Sequence, residues 1–327
     1  MDGISLNLIL TYKCNYECDH CISNCSPSRE ETMKIYQAKE YIDKVVSTTN
    51  VNQIGYTGGE PFLYYEMLKE LIGYSYNEYG IAGGVVTNCF WAKSEKEADH
   101  KLEELYNNGL RSIVVSCDSY HLKYGSIKPI EYVVHKSLDL GLTICINTVV
   151  TKDVSISKND IPRLLKLTDD DMENGIIIKE IGLLRLGRTL THIPEDCLIE
   201  TEDEMYFNGA CPFVLKIPTI TPRGSVYSCC CFGDDEVNPT ELIGYGGNVN
   251  HDSIENILTN MEGNLLFNIF KYKGPYSLLK TIKERRSDIE IRGKYLSNCD
   301  ICVELYHNPQ VKEELKKLLR EMAYQNL

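Results

Sequence analysis

Cys14, Cys18 and Cys21 stand within eight residues of one another, in the stretch Cys14-Asn15-Tyr16-Glu17-Cys18-Asp19-His20-Cys21 that follows the apolar run Ile4 to Leu10. Three thiols this close cannot all enter a core from one strand or helix, but on a loop their sulfurs can converge on one soft metal centre. Cys25 offers a fourth ligand, which would close the site as a structural zinc or iron centre. A second set of thiols lies far downstream: Cys211, the run Cys229-Cys230-Cys231 after Gly224, and Cys299-Asp300-Ile301-Cys302. The Cys-x2-Cys spacing suits zinc and iron–sulfur chemistry equally. If the thiol run continues a strand, a ligand at Cys229 sends Cys230 to the opposite face, free for chemistry. Three adjacent cysteines are an unusual choice for packing alone. Cys25, Cys89, Cys117, Cys145 and Cys197 are scattered and read as packing residues. Thr57-Gly58-Gly59-Glu60-Pro61 adds a turn whose glycines let backbone approach a ligand and whose carboxylate can meet an ammonium group.

These residues need a scaffold, and the first half of the chain supplies an alternation of short β-rich runs with longer helical patterns. Strands are predicted near Ile4 to Leu10, Gln53 to Thr57, Gly84 to Thr87, Ser112 to Ser116, Leu142 to Val149 and Ile176 to Ile181. Helices are predicted near Met33 to Ser47, Tyr64 to Tyr76, Glu95 to Asn107, Ile127 to Leu140 and Ile161 to Leu167. Six such units suit an α/β fold, a partial (β/α)6 TIM-like barrel, whose active site lies at the carboxyl ends of the strands. The three-cysteine loop follows the first strand at that end, and the Gly-Gly-Glu turn follows the second. Thr87-Asn88 ends the third strand and Ser116-Cys117-Asp118 the fourth. Beyond about Ile193 the alternation is lost, giving a hairpin (Val214 to Ile220, then Ser225 to Cys231), a surface loop at Gly244, Gly246 and Gly247, and helical segments. The reading is of two domains, a barrel over 1–193 and a small α+β extension over 194–327.

The chain has 327 residues, 43% hydrophobic and 25% charged, with a formal charge of -13. It is long enough to bury a core without a metal to hold it together. The acidic balance argues against a nucleic-acid partner, which would need Lys and Arg to neutralise phosphates. No apolar stretch is long enough to span a bilayer, and no export signal precedes Ile4. Fourteen cysteines without such a signal point to a reducing cytoplasm and to thiols kept for clusters.

The Cys-x3-Cys-x2-Cys loop, together with Gly58-Gly59-Glu60, resembles the radical S-adenosylmethionine (SAM) superfamily. The resemblance implies a 4Fe-4S cluster on Cys14, Cys18 and Cys21 with an open iron for SAM, which leaves Cys25 outside the cluster. It implies His20 against the adenine and Gly58, Gly59 and Glu60 at the methionyl amino group. It makes Asn88, Ser116 and Arg188, of the pair Gly187-Arg188, candidate cofactor contacts. Cys211, Cys229, Cys299 and Cys302 resemble the ligands of a twitch extension, a short relative of the SPASM domain, with one auxiliary 4Fe-4S cluster.

From Cys14 to Cys302 the chain is similar to radical SAM epimerases of ribosomally made and modified peptides (RiPPs). This implies a ribosomal precursor peptide as substrate, recognised at the barrel mouth and the C-terminal region, and a one-electron reductant such as flavodoxin or ferredoxin. It also implies L-to-D epimerisation by hydrogen abstraction at an α-carbon. The hydrogen returns from Cys230, with Cys231 in reserve as donor or alternative ligand. A buried, apolar setting is expected to raise the Cys230 pKa and keep the thiol protonated. The connection from Cys211 to Cys229 carries no acid, where relatives can have one, and Cys231 stands outside the pattern. Rival readings are a thioether or carbon–carbon cross-linking maturase, a cofactor-biosynthesis enzyme, and a non-catalytic iron–sulfur or zinc protein.

Overall fold

The computed structural model describes residues 3–153, 156–173, 175–236 and 238–325. Its first half alternates strands β1 (Ile4–Thr11), β2 (Val51–Gly58), β3 (Ala82–Thr87), β4 (Leu110–Ser116), β5 (Thr143–Val149) and β6 (Ile176–Ile181) with helices. These are α1 (Ile35–Thr48), α2 (Tyr65–Tyr79), α3 (Glu95–Asn107) and α4 (Ile127–Asp139), then the short α5 (Ile161–Leu165) and α6 (Asp169–Glu173). After the short α7 (Thr189–His192) and α8 (Glu204–Phe207) come β7 (Thr219–Ile220), β8 (Ser225–Tyr227) and β9 (Tyr245–Asn248). Five helices finish the chain: α9 (Ile254–Gly263), α10 (Leu265–Lys273), α11 (Pro275–Arg285), α12 (Asn298–His307) and α13 (Pro309–Gln325).

The strands form one sheet in the order β6-β5-β4-β3-β2-β1-β7-β8-β9. From β6 to β1 every pairing is parallel, and the fold is the expected partial TIM-like α/β barrel. Strand parity separates its two faces. Ile4, Leu6, Leu8, Ile54, Tyr56, Ile113, Val115, Ile144 and Ile146 are buried on the side covered by helices. Those helices meet the sheet through apolar stripes such as Ala38, Tyr41, Ile42 and Val45 of α1, spaced three or four residues apart. The concave face alternates with them and is more polar, with Asn7, Gln53, Ser112, Ser116 and Asn147; Gln53 donates to Ser112 across it.

The extension departs from the sequence reading in three places. The first hairpin strand is confined to Thr219–Ile220, where it pairs parallel with Asn7 and Leu8 of β1, so the sheet runs on without a break. The return strand ends at Tyr227, not Cys231. The chain doubles back there, stacking Phe232 on Tyr227 with ring centroids 3.8 Å apart, and Cys229, Cys230 and Cys231 occupy the bend between them. The glycine-rich segment is a strand rather than a surface loop: Tyr245–Asn248 pairs antiparallel with β8. A Cβ at Gly246 would lie 2.2 Å from Met261 Sδ, so glycine here lets α9 lie directly on β9.

Among the described residues no helix is long and apolar enough to cross a membrane. One buried ion pair links the barrel to the last helices. Arg185, just past β6, pairs with Asp300 of α12, with Glu200 and with Glu195, the last at 3.0 Å. Asp300 is fully buried and also accepts from the Leu296 amide at 3.0 Å. Removing one partner of such a pair leaves the other charge buried, while Arg292 remains 3.6 Å from Asp300 as partial compensation. We therefore expect Arg185→Met to lower the unfolding free energy by about 3 kcal/mol in urea titrations, with a loss under 1 kcal/mol arguing against the role of this link.

Candidate metal and cofactor site

Residues between β1 and α1 form an irregular loop, so its peptide groups depend on partners outside regular structure. The end of β2 provides two. Gly59 N donates to Thr11 O at 2.7 Å and Glu60 N to Lys13 O at 3.0 Å. A Cβ at Gly59 would lie 2.1 Å from Lys13 O, so the Gly-Gly pair first serves the close approach of the cysteine loop. Asn88, after β3, donates to Asn15 Oδ1 at 3.0 Å and lies 3.9 Å from Cys14 Sγ. Arg188, past β6, clamps the loop by its backbone: Nε donates to Cys18 O at 2.9 Å, Nη2 to Cys25 O at 2.7 Å and the amide to Cys21 O at 3.1 Å. Arg188, expected as a cofactor contact, here uses Nε and Nη2 on the loop carbonyls.

The turn after the thiol run holds the same loop from the other side. Ser23 donates to Gly233 O at 3.3 Å, Asn24 and Arg29 both reach Asp234, and Tyr12 donates to Asp235 at 2.8 Å. Cys229 to Cys231 are therefore carried on a segment fastened to the Cys14–Cys25 loop. The acids at 234 and 235 were not singled out from sequence, although two carboxylates directly after a thiol run would have been a signal.

The sulfurs are held in distinct surroundings. Burial raises the Cys14 thiol to about 12, and its sulfur accepts from Tyr16 N at 3.4 Å. Cys21 is lowered to about 6, chiefly by a hydrogen bond with Cys25 and further by Arg188. Cys25, read from sequence as packing, thus lies against a member of the motif. His20 is lowered to about 4 by burial, and its Nδ1 is buried with no hydrogen-bond partner. Its ring lies 5.1 Å from both Tyr120 and His121, with the Nδ1 left for a ligand. Asp118, also missed as a site residue, bonds His121 at 2.8 Å beside Cys18.

Glu60 is turned inward. Its carboxylate accepts from Phe62 N at 3.1 Å, Thr87 Oγ1 at 2.9 Å and Asn88 N at 2.7 Å, tying β2 to β3. Three of the carboxylate's lone-pair sites are thus used within the protein, one of them on Oε2, and Gly58 and Gly59 present backbone beside it. Ser116 lies on the concave face at the end of β4.

The second thiol set lines a common cavity. Cys211, Cys229, Cys231, Cys299 and Cys302 surround it, with Phe213, Val214, Ile243 and Phe270 as apolar wall. Cys231 also hydrogen-bonds Cys299, so it joins the expected four ligands as a fifth thiol. Cys230 is not on this wall; its sulfur lies 3.9 Å from that of Cys231. Its pKa departs from the expected rise: a hydrogen bond from Cys231 lowers it against the effect of burial. Soft thiolate donors in an apolar cavity fit an iron–sulfur group.

Burial raises Glu60 to about 7 from a usual 4.5, the hydrogen bonds only partly offsetting it. The folded chain thus holds this proton more tightly than the unfolded one, and the stability it carries is full below pH 4.5 and lost as pH rises through 7. Relative to the parent, iron-free Glu60→Gln is expected to gain stability between pH 5 and pH 8, by at most about 3 kcal/mol. A pH-independent difference in unfolding free energy would contradict this.

Residues 8–165 match the Radical SAM superfamily. Over 317 residues the chain is 26% identical to the Bacillus subtilis (strain 168) protein named "Putative peptide biosynthesis protein YydG", covering 94% of this chain and 92% of that one. It is 27% identical to the GTP 3',8-cyclase of Clostridium botulinum (strain Okra / Type B1), covering 61% of each. Among solved structures, BtrN in complex with AdoMet and 2-DOIA aligns with a TM-score of 0.47 at 15% identity, covering 83% of this chain and 89% of that one. The matched residues 8–165 contain the three-cysteine loop and its Gly-Gly-Glu neighbour.

Proposed function

We propose that this chain is a radical SAM enzyme that modifies a ribosomally made peptide by L-to-D epimerisation. Residues 1–193 are the radical SAM barrel and 194–327 a twitch/SPASM-like extension. Cys14, Cys18 and Cys21 hold the SAM cluster; Cys211, Cys229, Cys299 and Cys302 hold one auxiliary cluster, with Cys231 on the same wall. His20, Gly58, Gly59, Asn88 and Ser116 line the SAM side of the barrel mouth, with Glu60 and Arg188 bracing it. The similarity to a protein named for peptide biosynthesis, over nearly the whole chain, supports the substrate class.

The observation that carries the reading is the fastening of the Gly233–Asp235 turn to the cysteine loop through Tyr12, Ser23, Asn24 and Arg29. It joins a thiol outside the auxiliary set, Cys230, to the loop where a substrate hydrogen would be removed. When bound, the cluster and SAM supply a 5'-deoxyadenosyl radical able to take that hydrogen from a peptide α-carbon. Cys230 then gives its S–H hydrogen to the opposite face of the planar carbon: the S–H bond breaks, a C–H bond forms and a sulfur radical remains on Cys230. Cys231, 3.9 Å away, is the nearest reserve donor. One electron from a reductant such as flavodoxin or ferredoxin, with a proton from solvent, restores the thiol.

In heavy water, with the precursor peptide, SAM and reductant, each altered residue is expected to gain one non-exchangeable deuterium. A cross-linked product would instead be lighter by two hydrogens. Cys230→Ala should still release 5'-deoxyadenosine but yield no D-residue. Epimerisation at the parent rate in that variant would sink the assignment of Cys230, and failure of the parent to release 5'-deoxyadenosine would sink the enzyme reading.

A further inference from the structure

On the barrel side the sheet ends at β6, and among the described residues no backbone group pairs with its outer edge. A strand paired along one side leaves alternate amides and carbonyls open along the other. Such edges are commonly blunted by proline, a bulge or charge. Ile176–Ile181 contains no proline and pairs with β5 in unbroken register. Its charges are Lys179 and Glu180, and Glu180 accepts from the Lys158 amide at 2.9 Å.

The side chains of β6 divide between the two faces of the sheet. Ile176 and Ile178 are in register with Ile144 and Ile146 and share the face covered by helices. Ile177, Lys179 and Ile181 are in register with Cys145, Asn147 and Val149 on the concave face, where the two isoleucines are 47% and 38% exposed. On a face that is otherwise more polar, they form an open apolar track beside the open edge. The track runs from an acidic end to the cysteine loop. Before β6, the adjoining α6 carries Asp169, Asp170, Asp171 and Glu173. Thr168 engages Asp171, while the other three have no ion-pair partner among the described residues. Beyond Ile181, Leu183 packs in one buried cluster with Cys14, Cys18 and Cys25, and Arg188 holds the loop carbonyls.

We propose that the free edge of β6 binds the peptide substrate as an added strand, with alternate side chains on Ile177 and Ile181 and lysine or arginine against the α6 acids. Open backbone groups are satisfied by another backbone, and isoleucines on one face of a strand match the alternate side chains of its neighbour. Uncompensated carboxylates attract cations. Because β6 ends beside the cysteine loop, a chain laid along it is led into the site. The inference rests on the reading of the substrate as a peptide.

The probe is a synthetic peptide of three threonine–valine pairs with two lysines at one end and fluorescein at the other, made in both orders and titrated into the full chain by fluorescence anisotropy. The tighter order is expected to saturate and to slow hydrogen exchange of the 176–181 amides. Its affinity should fall about tenfold when Ile177→Ser and Ile181→Ser are combined, and fall again with Asp169→Lys and Asp170→Lys. N-methylation of the probe leaves the protein untouched: methylating one alternate set of amides should abolish binding and methylating the other should spare it, since an edge pairs along one side only. Equal effects of the two methylated sets, or binding without slowed exchange in 176–181, would overturn the inference and leave a peptide substrate standing. Failure of both orders to saturate at millimolar concentration would overturn it as well. The heavy-water assay on the precursor peptide decides the peptide reading independently.

Discussion

The structure depends on satisfying the peptide groups of a long irregular loop brought into the interior. Residues between β1 and α1 cannot use a helix or a ladder for their amides and carbonyls, and buried peptide groups without partners are costly. The carboxyl ends of the surrounding strands answer this. Gly59 and Glu60 donate to Thr11 and Lys13, and Arg188 donates to three carbonyls among Cys18, Cys21 and Cys25. A cation is well suited to the second task, because one guanidinium offers several donors in a fixed fork. The consequence is that three thiols are oriented by residues from distant parts of the chain, before any metal contributes.

This division of labour explains what could be read from the sequence. The parallel half of the fold was legible because each strand has buried, β-branched or aliphatic runs and each helix an apolar stripe; the thiol spacings were legible because ligand chemistry is local. What escaped was set by tertiary contact. Ser225 onward reads as a strand past Cys229, yet stacking of Phe232 on Tyr227 ends it at Tyr227. Gly244 to Gly247 reads as a loop, since glycine has low strand propensity, until α9 is seen to occupy the space that side chains would fill. Glu60 reads as a free carboxylate because nothing in its neighbours reveals three donors from Phe62, Thr87 and Asn88.

The two cysteine sets are linked more closely than a two-domain description suggests. β7 continues the barrel sheet by pairing with β1, the strand that delivers the first set, and β8 leads straight into the second. A hinge between them would have to break that ladder, the contacts of Asp234 and Asp235 with Arg29 and Tyr12, and the buried Arg185–Asp300 pair. Each ties a different part of the extension to the barrel, so the arrangement resists rotation about any one of them. Fixed separation matters for chemistry in which a hydrogen leaves one face of a carbon and another returns from the opposite face, since a donor free to drift would lose stereochemical control.

Burial also sorts the many cysteines. Cys89 and Cys117 are fully enclosed in the apolar core, and their thiols are pushed upward by that burial, which keeps them as inert hydrophobes. Cys21 lies beside Arg188 and Cys25 and is lowered toward thiolate, the form that binds metal. Cys230 is lowered chiefly by a hydrogen bond from Cys231 and further by its own backbone, with no cation among the causes. A shared S–H between two thiols stabilises one sulfur without removing the hydrogen from the pair. Under the proposed hydrogen return, such a pair would keep a second S–H beside the first, so that Cys231 would support Cys230 instead of competing with it.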